Sequence, residues 1–210
     1  EKINDIIRVI NNNKLKYKIA EDFFFNTQLS IDYTSSRYQN YNNPVHGDGD
    51  GIGGYVENSA MSIFNYISQN SLDYRFFVKD DHRFDLKALM EFQKVKTNYL
   101  YGYGENIALG FTQLGNTSAN QSASSYKNEW MNLAYVGLLN YAYLNKYLVD
   151  FTVRREGSSR FSSDYRWGTF WSAGAAWNIM NEDFLLGNKN LSTLRLRGSY
   201  GTTGNSGIGL

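Results

Sequence analysis

The chain has 210 residues, a formal net charge of +1, 16% aromatic residues including 17 Tyr, 19 Gly, one Pro and no Cys. Near-neutral charge supplies no basic face to track phosphates, which argues against nucleic acid as a partner, and the lack of cysteine removes disulfide frameworks and thiolate metal sites. No apolar run reaches the ~18 residues of a membrane-spanning helix, but strands of a transmembrane β-barrel need only ~10 alternating residues each.

Aromatic and β-branched residues suit a pleated surface, and Gly and Asn suit turns, so this composition favours β-structure. The start, EKINDIIRVI, has no basic stretch followed by an apolar run and a small-residue cleavage site. With the Gly-rich end GTTGNSGIGL, it predicts an internal piece of a longer chain.

A first strand is expected near Arg8 to Ile19. From Phe23 the odd positions Phe23, Phe25, Thr27, Leu29, Ile31 and Tyr33 alternate with Phe24, Asn26, Gln28, Ser30, Asp32 and Thr34. A period of two sends these sets to opposite faces of a sheet. After a polar loop from Ser36 to about Gly54, Leu72, Tyr74, Phe76 and Val78 alternate with Asp73, Arg75, Phe77 and Lys79. Beyond a tight turn at Lys79 to Arg83, the row Phe84, Leu86, Ala88, Met90 and Phe92 opposes Asp85, Lys87, Leu89, Glu91 and Gln93.

A long loop is expected from Gly104 to Asn128, then a strand whose one face is Met131, Leu133, Tyr135, Gly137, Leu139, Tyr141 and Tyr143. The turn Leu144 to Lys146 leads to Tyr147, Val149, Phe151 and Val153, which face away from Asp150, Thr152, Arg154 and Glu156. A loop at Gly157 to Arg166 precedes the row Trp167, Thr169, Trp171, Ala173, Ala175, Trp177 and Ile179. A connection from Asn181 to Asn190, with room for one helical turn, leads to Leu194, Leu196 and Tyr200 against Arg195, Arg197 and Ser199.

About eight strands thus alternate between short turns and long loops, an all-β, antiparallel up-and-down meander. Outer-membrane barrels show that asymmetry between their two rims, and tyrosines around the Leu144 turn suit an aromatic girdle. Two other readings stay open on residues alone. A soluble β-sandwich also alternates, and its exposed Trp and Tyr would make sugar platforms; a self-contained eight-stranded barrel would have a narrow, side-chain-filled interior.

Candidate chemistry is sparse. HGDGDGIGG, from His46 to Gly54, formally matches a dinucleotide fingerprint at Gly49, Gly51 and Gly54, but it precedes a strand where the mechanism needs a helix N-terminus. Asp48 and Asp50 fall short of the six to eight oxygens calcium takes, so a plain loop is expected. His46 and His82 lie near no nucleophile, and His82 in the KDDHR turn is expected to be solvated. Neither Asp80 with Asp81 nor Glu182 with Asp183 is placed for acid-base work across a cleft, so no catalytic residue, metal site or cofactor is assigned. The polar-face charges Lys87, Glu91, Asp150, Arg154, Glu156, Arg195 and Arg197 are expected to line the lumen if the sheet is a barrel wall.

From about Asn140 onward, the tyrosine-rich hairpin through NKYL, then RREGSSRF, RWGTFWSAGAAWNI with NEDF, and LRLRGSYGTTGN resemble in order the SusC/RagA family of TonB-dependent outer-membrane transporters. The earlier half fits more loosely, through DYTSSR and SLDYRF. Glu156 stands where the family pattern leads us to expect Asp, and Trp171 where it leads us to expect Pro. The resemblance implies that residues 1–210 are part of a large plugged barrel in the bacterial outer membrane. Such a barrel imports oligosaccharides or peptides with a SusD-like surface lipoprotein as lid and TonB, acting through the plug, as energy source. It also implies that lipid meets the aromatic face.

Overall fold

The computed structural model describes residues 1–185 and 190–204. Eight strands follow one another: β1 (Lys2–Ala20), β2 (Phe23–Asn42), β3 (Tyr55–Val78), β4 (His82–Ile107), β5 (Thr117–Tyr143), β6 (Tyr147–Ser158), β7 (Trp167–Asn178) and β8 (Arg195–Gly201). They form one sheet in the order β1-β2-β3-β4-β5-β6-β7-β8, the expected meander. The described strands belong to one hydrogen-bonded sheet and not to the two sheets of a sandwich. Among the described residues β8 does not pair with β1, so these strands do not close an eight-stranded barrel by themselves.

Several strands outrun the expected ones. β4 continues to Ile107 and β5 begins at Thr117, so the loop expected from Gly104 to Asn128 shrinks to 108–116. β2 likewise runs on to Asn42. Polar residues occupy both faces of Thr117–Trp130, so no apolar alternation marks a strand there, and the neighbouring ladder sets its extent instead.

The contacts divide the chain into two compact units. The first comprises Glu1–Asn12, Ser30–Tyr66 and Lys94–Trp130. Within it Val56 and Ile107 are buried, and the 43–54 loop is stitched down by Asn106 N–H to the Gly54 carbonyl (3.0 Å) and Ile107 N–H to the Gly53 carbonyl (2.8 Å). Gly47–Gly49 makes a single 3-10 turn and strand β3 follows, so the glycine cluster presents no helix N-terminus. Gly54 has φ +76, and a Cβ there would lie 2.8 Å from the Asn42 carbonyl oxygen and 2.9 Å from Pro44 N.

The second unit comprises Asn13–Leu29, Ile67–Gln93 and Met131–Leu210. Its short turns hold positive φ at Lys79 and Asp80 and at Leu144 and Asn145. Paired left-handed residues match the right-handed twist of the flanking strands. The register Tyr143↔Tyr147 and Leu139↔Phe151, then Phe151↔Ala173 and Ala175↔Gly198, places each alternating row side by side across β5 to β8. In the connection after β7, 3-10 turns occupy Ile179–Asn181 and Asp183–Leu185, matching the expected helical turn, while 186–189 lie outside the described residues.

Candidate functional site

The two faces of the second unit differ sharply in chemistry. One carries the charges. Across the ladder Asp150 opposes Asn140 and Gly174, Arg154 opposes Val136 and Phe170, and Glu156 opposes Ala134 and Gly168, while Arg195 and Arg197 oppose Asn178 and Ala176. Five of the seven predicted residues therefore share one face by register.

Of the other two, Glu91 joins them through a side-chain contact. Arg154 donates from Nε to Glu156 (2.7 Å) and from Nη2 to Glu91 (3.1 Å), and Glu91 also accepts from Gln69 Nε2 (2.5 Å). Lys87 pairs with Asp73 at 3.5 Å. The Arg154 guanidinium sits on β6 and Glu91 on β4, so the pair bridges over β5, roughly two strand spacings or 10 Å. Small or aliphatic β5 residues on that face, Ala134 and Val136, leave the path open.

Sequence reasoning missed much of this network. Asp73 accepts from Asn26 Nδ2 (2.9 Å) and from the Ser71 hydroxyl (3.0 Å), and Asp85 pairs with Arg75 and with Arg83 (3.3 Å). The same period of two marks these residues, but which of them meet depends on strand register. Asp150, Arg195 and Arg197 share the face without an ion pair among the described residues; the Asp150 carboxylate lies over Gly174, 2.5 Å from where a Cβ would stand. In the first unit, Arg8 and Asp32 make a two-bond pair at 2.9 and 2.6 Å.

The opposite face is apolar and open. Leu72, Leu86, Met90, Val149, Phe151 and Trp171 are all exposed, whereas the buried hydrophobic residues are only Val56, Ile107, Ala134 and Ala142 among those described. Near the short turns this face carries a chain of rings: Phe23 to Tyr74 (5.6 Å between centroids), Phe76 to Phe84 (4.9 Å), Phe84 to Tyr141 (4.8 Å), Tyr143 to Tyr147 and Tyr147 to Trp177 (both 6.3 Å). His82 belongs to this band rather than to solvent, as had been expected. Its Nδ1 lies 2.8 Å from the Tyr141 hydroxyl and its ring 4.8 Å from that of Tyr143. The short turn brings it there because β4 begins at His82, directly beside the end of β5.

One further cluster closes the turn side. Glu182 accepts from Trp177 Nε1 (2.9 Å), the Tyr147 hydroxyl (2.8 Å) and Lys146 Nζ (3.2 Å), while Lys146 also reaches Asp183 (3.0 Å). These donors hold the Glu182 carboxyl below its ordinary range, the indole first, and Asp183 with Glu182 pushes the Lys146 ammonium up. Among the described residues no three His, Asp, Glu or Cys side chains gather as a metal set, Asp48 and Asp50 included.

No protein-family model matches the chain. TonB-dependent receptor P3 of Formosa agariphila is 28% identical over 195 residues, 91% of this chain and 19% of the relative. TonB-dependent receptor SusC of Bacteroides thetaiotaomicron is 43% identical over 99 residues, 47% of this chain and 10% of SusC. The structure of the RagAB peptide transporter superposes with TM-score 0.93 over 100% of this chain and 24% of that one, at 23% identity. The chain is similar to a barrel segment of SusC/RagA-like TonB-dependent receptors. It spans about a fifth of the length of the curated relatives that match most of it. In this SusC/RagA-like segment the two departures from the family pattern are accommodated: Glu156 holds Arg154, and Trp171 extends its ring row, edge-on to Tyr200 at 5.9 Å.

Proposed function

We propose that residues 1–210 form part of the wall of an outer-membrane importer, with the aromatic face toward lipid and the charged face toward the lumen. The observation that carries this reading is the inverted partition of the sheet. Large apolar side chains stand exposed on one face, and ion pairs collect on the other. In water such an apolar face would be a liability; in a bilayer it is the required surface, flanked by rings at headgroup level. Two unpaired sheet edges would leave backbone groups unsatisfied in lipid, so we assign further strands of the parent protein to complete the cylinder.

Lys87, Glu91, Asp150, Arg154, Glu156, Arg195 and Arg197 then line the interior, where they meet a plug or a passing solute. The RagAB peptide transporter supports a peptide as that solute, and the family resemblance carried by RREGSSRF and RWGTFWSAGAAWNI adds an oligosaccharide. The same resemblance supports a SusD-like surface lipoprotein as lid, and the relatives' name TonB-dependent receptor supports TonB, acting through a plug, as the source of energy. The wall itself carries no catalytic step. The test is uptake of labelled oligosaccharides and peptides by cells expressing the full-length protein, with and without TonB. Outer-membrane location together with TonB-dependent uptake supports the reading; a full-length protein found soluble and folded overturns it.

A further inference from the structure

The apolar face is not uniformly filled. In its middle, a concavity of about 560 Å³ runs between β3 and β6, and a neighbouring one of about 420 Å³ shares Leu72, Ala88, Gly137 and Val153 with it. Ala88 and Gly137 make the floor because a methyl group and a hydrogen are all they have to raise it. A Cβ on Gly137 would already lie 3.3 Å from Val153 Cγ1, so any larger residue there would fill the trough. Leu72 and Val153 form the walls, and between Phe151 and Arg155 the wall strand rises roughly 13 Å.

One end of the larger concavity is polar. Arg155, the next residue on the outward row after Val153, lines it beside Tyr135, its partner across the ladder. Its guanidinium is held by Nη1 donating to Thr169 Oγ1 (3.3 Å) and lies 5.6 Å from the centre of the Trp167 ring. It makes no ion pair with a carboxylate among the described residues. The result is an oriented, uncompensated cation at the head of an apolar trough.

We propose that this face binds one anionic membrane lipid, with an acyl chain in the trough and the headgroup phosphate on Arg155. The proposal rests on the reading that this face meets lipid. Charge decides against a second copy of the chain as occupant. The strand carboxylates of this unit, Asp73, Asp85, Glu91, Asp150 and Glu156, all lie on the charged face, and Glu182 and Asp183 sit at the opposite, turn-side end of the strands, so side-by-side association of two copies in one membrane would bring Arg155 no counterion. A lipid phosphate supplies the charge, and its chain supplies the shape.

The test uses the full-length protein in nanodiscs of equal parts phosphatidylglycerol and phosphatidylcholine, with retained lipid counted by native mass spectrometry. Wild type and the turn-side control Lys79→Gln should retain phosphatidylglycerol over phosphatidylcholine. Arg155→Gln should lower that preference about fivefold, the effect of one cation near an anionic surface. Gly137→Leu should lower retention of both lipids. Equal retention by wild type and both variants, with normal assembly, overturns the proposal. If Gly137→Leu does not assemble, the lipid preference of Arg155→Gln decides alone. If Gly137→Leu instead splits a dimer with lipid unchanged, the trough seats a second copy and the proposal fails. Failure of the underlying reading looks different, because then even the wild type would not fractionate with membranes.

Discussion

Phe151 offers the sharpest test of which face meets lipid. It lies on the outward row of β6, four residues from Tyr147 and four from Arg155, opposite Leu139 and Ala173. Four residues span roughly 13 Å of strand, and a tilt near 40° turns that into about 10 Å of depth on either side. Tyr147 and Arg155 would then bracket about 20 Å of an apolar band expected to be about 25 Å tall, with Phe151 near its midplane. Arg at that depth costs about 2–4 kcal/mol, a factor of roughly 30 to 1,000 in the folding equilibrium. Thr152 is the control, since it is the next residue along and its side chain points to the charged face across from Leu138 and Ser172. Phe151→Arg and Thr152→Arg in the full-length protein should be compared by urea titration in lipid vesicles and by the heat-modifiable band in outer-membrane fractions. The expected result is a large loss for Phe151→Arg and little change for Thr152→Arg. Equal costs, or the reverse order, would refute the assignment of faces.

Three other perturbations probe separate parts of the structure. Arg154→Met and Glu91→Gln, alone and combined, should show a coupling of about 0.5–1 kcal/mol in the same titration, since both side chains are about one-third exposed; strict additivity would mean the bridge over β5 contributes nothing. Glu182 has its carboxyl lowered from 4.5, so its clasp adds stability above that pH and loses it as pH falls through the depressed value. Amide protection of residues 179–185, measured against the intrinsic exchange rate at each pH, should therefore fall on acidification in wild type, and Glu182→Gln should be less protected already at neutral pH and show a flatter response. Gly54→Ala forces a side chain into a left-handed backbone against Asn42 and Pro44, at about 1–3 kcal/mol, and limited proteolysis should then cut the 43–54 loop faster; unchanged cutting would mean the loop relaxes freely.

Much of the fold was legible because a strand's side-chain period is an integer, so alternation alone assigns faces once a segment is known to be extended. That held for the rows from Tyr147 and Trp167 and for the common face of Asp150, Arg154, Glu156, Arg195 and Arg197. It failed where both faces are polar. Residues 117–128 read as loop yet are strand, because their extent comes from the neighbouring ladder and not from their own pattern. His82 read as a solvated turn residue for a related reason, since its ring contacts Tyr141 and Tyr143, which lie on β5 and are unseen from local sequence.

The sequence by itself determined the all-β meander, the sorting of apolar and charged rows, and the resemblance carried by RREGSSRF and RWGTFWSAGAAWNI. Only the tertiary structure decided which charges meet. Register within each hairpin brings Lys87 to Asp73, and the small residues of β5 let Arg154 reach Glu91. It alone also decided that Ala88 and Gly137 form one floor and that Arg155 stands at its head, because residues far apart in the chain become neighbours only when strands pair.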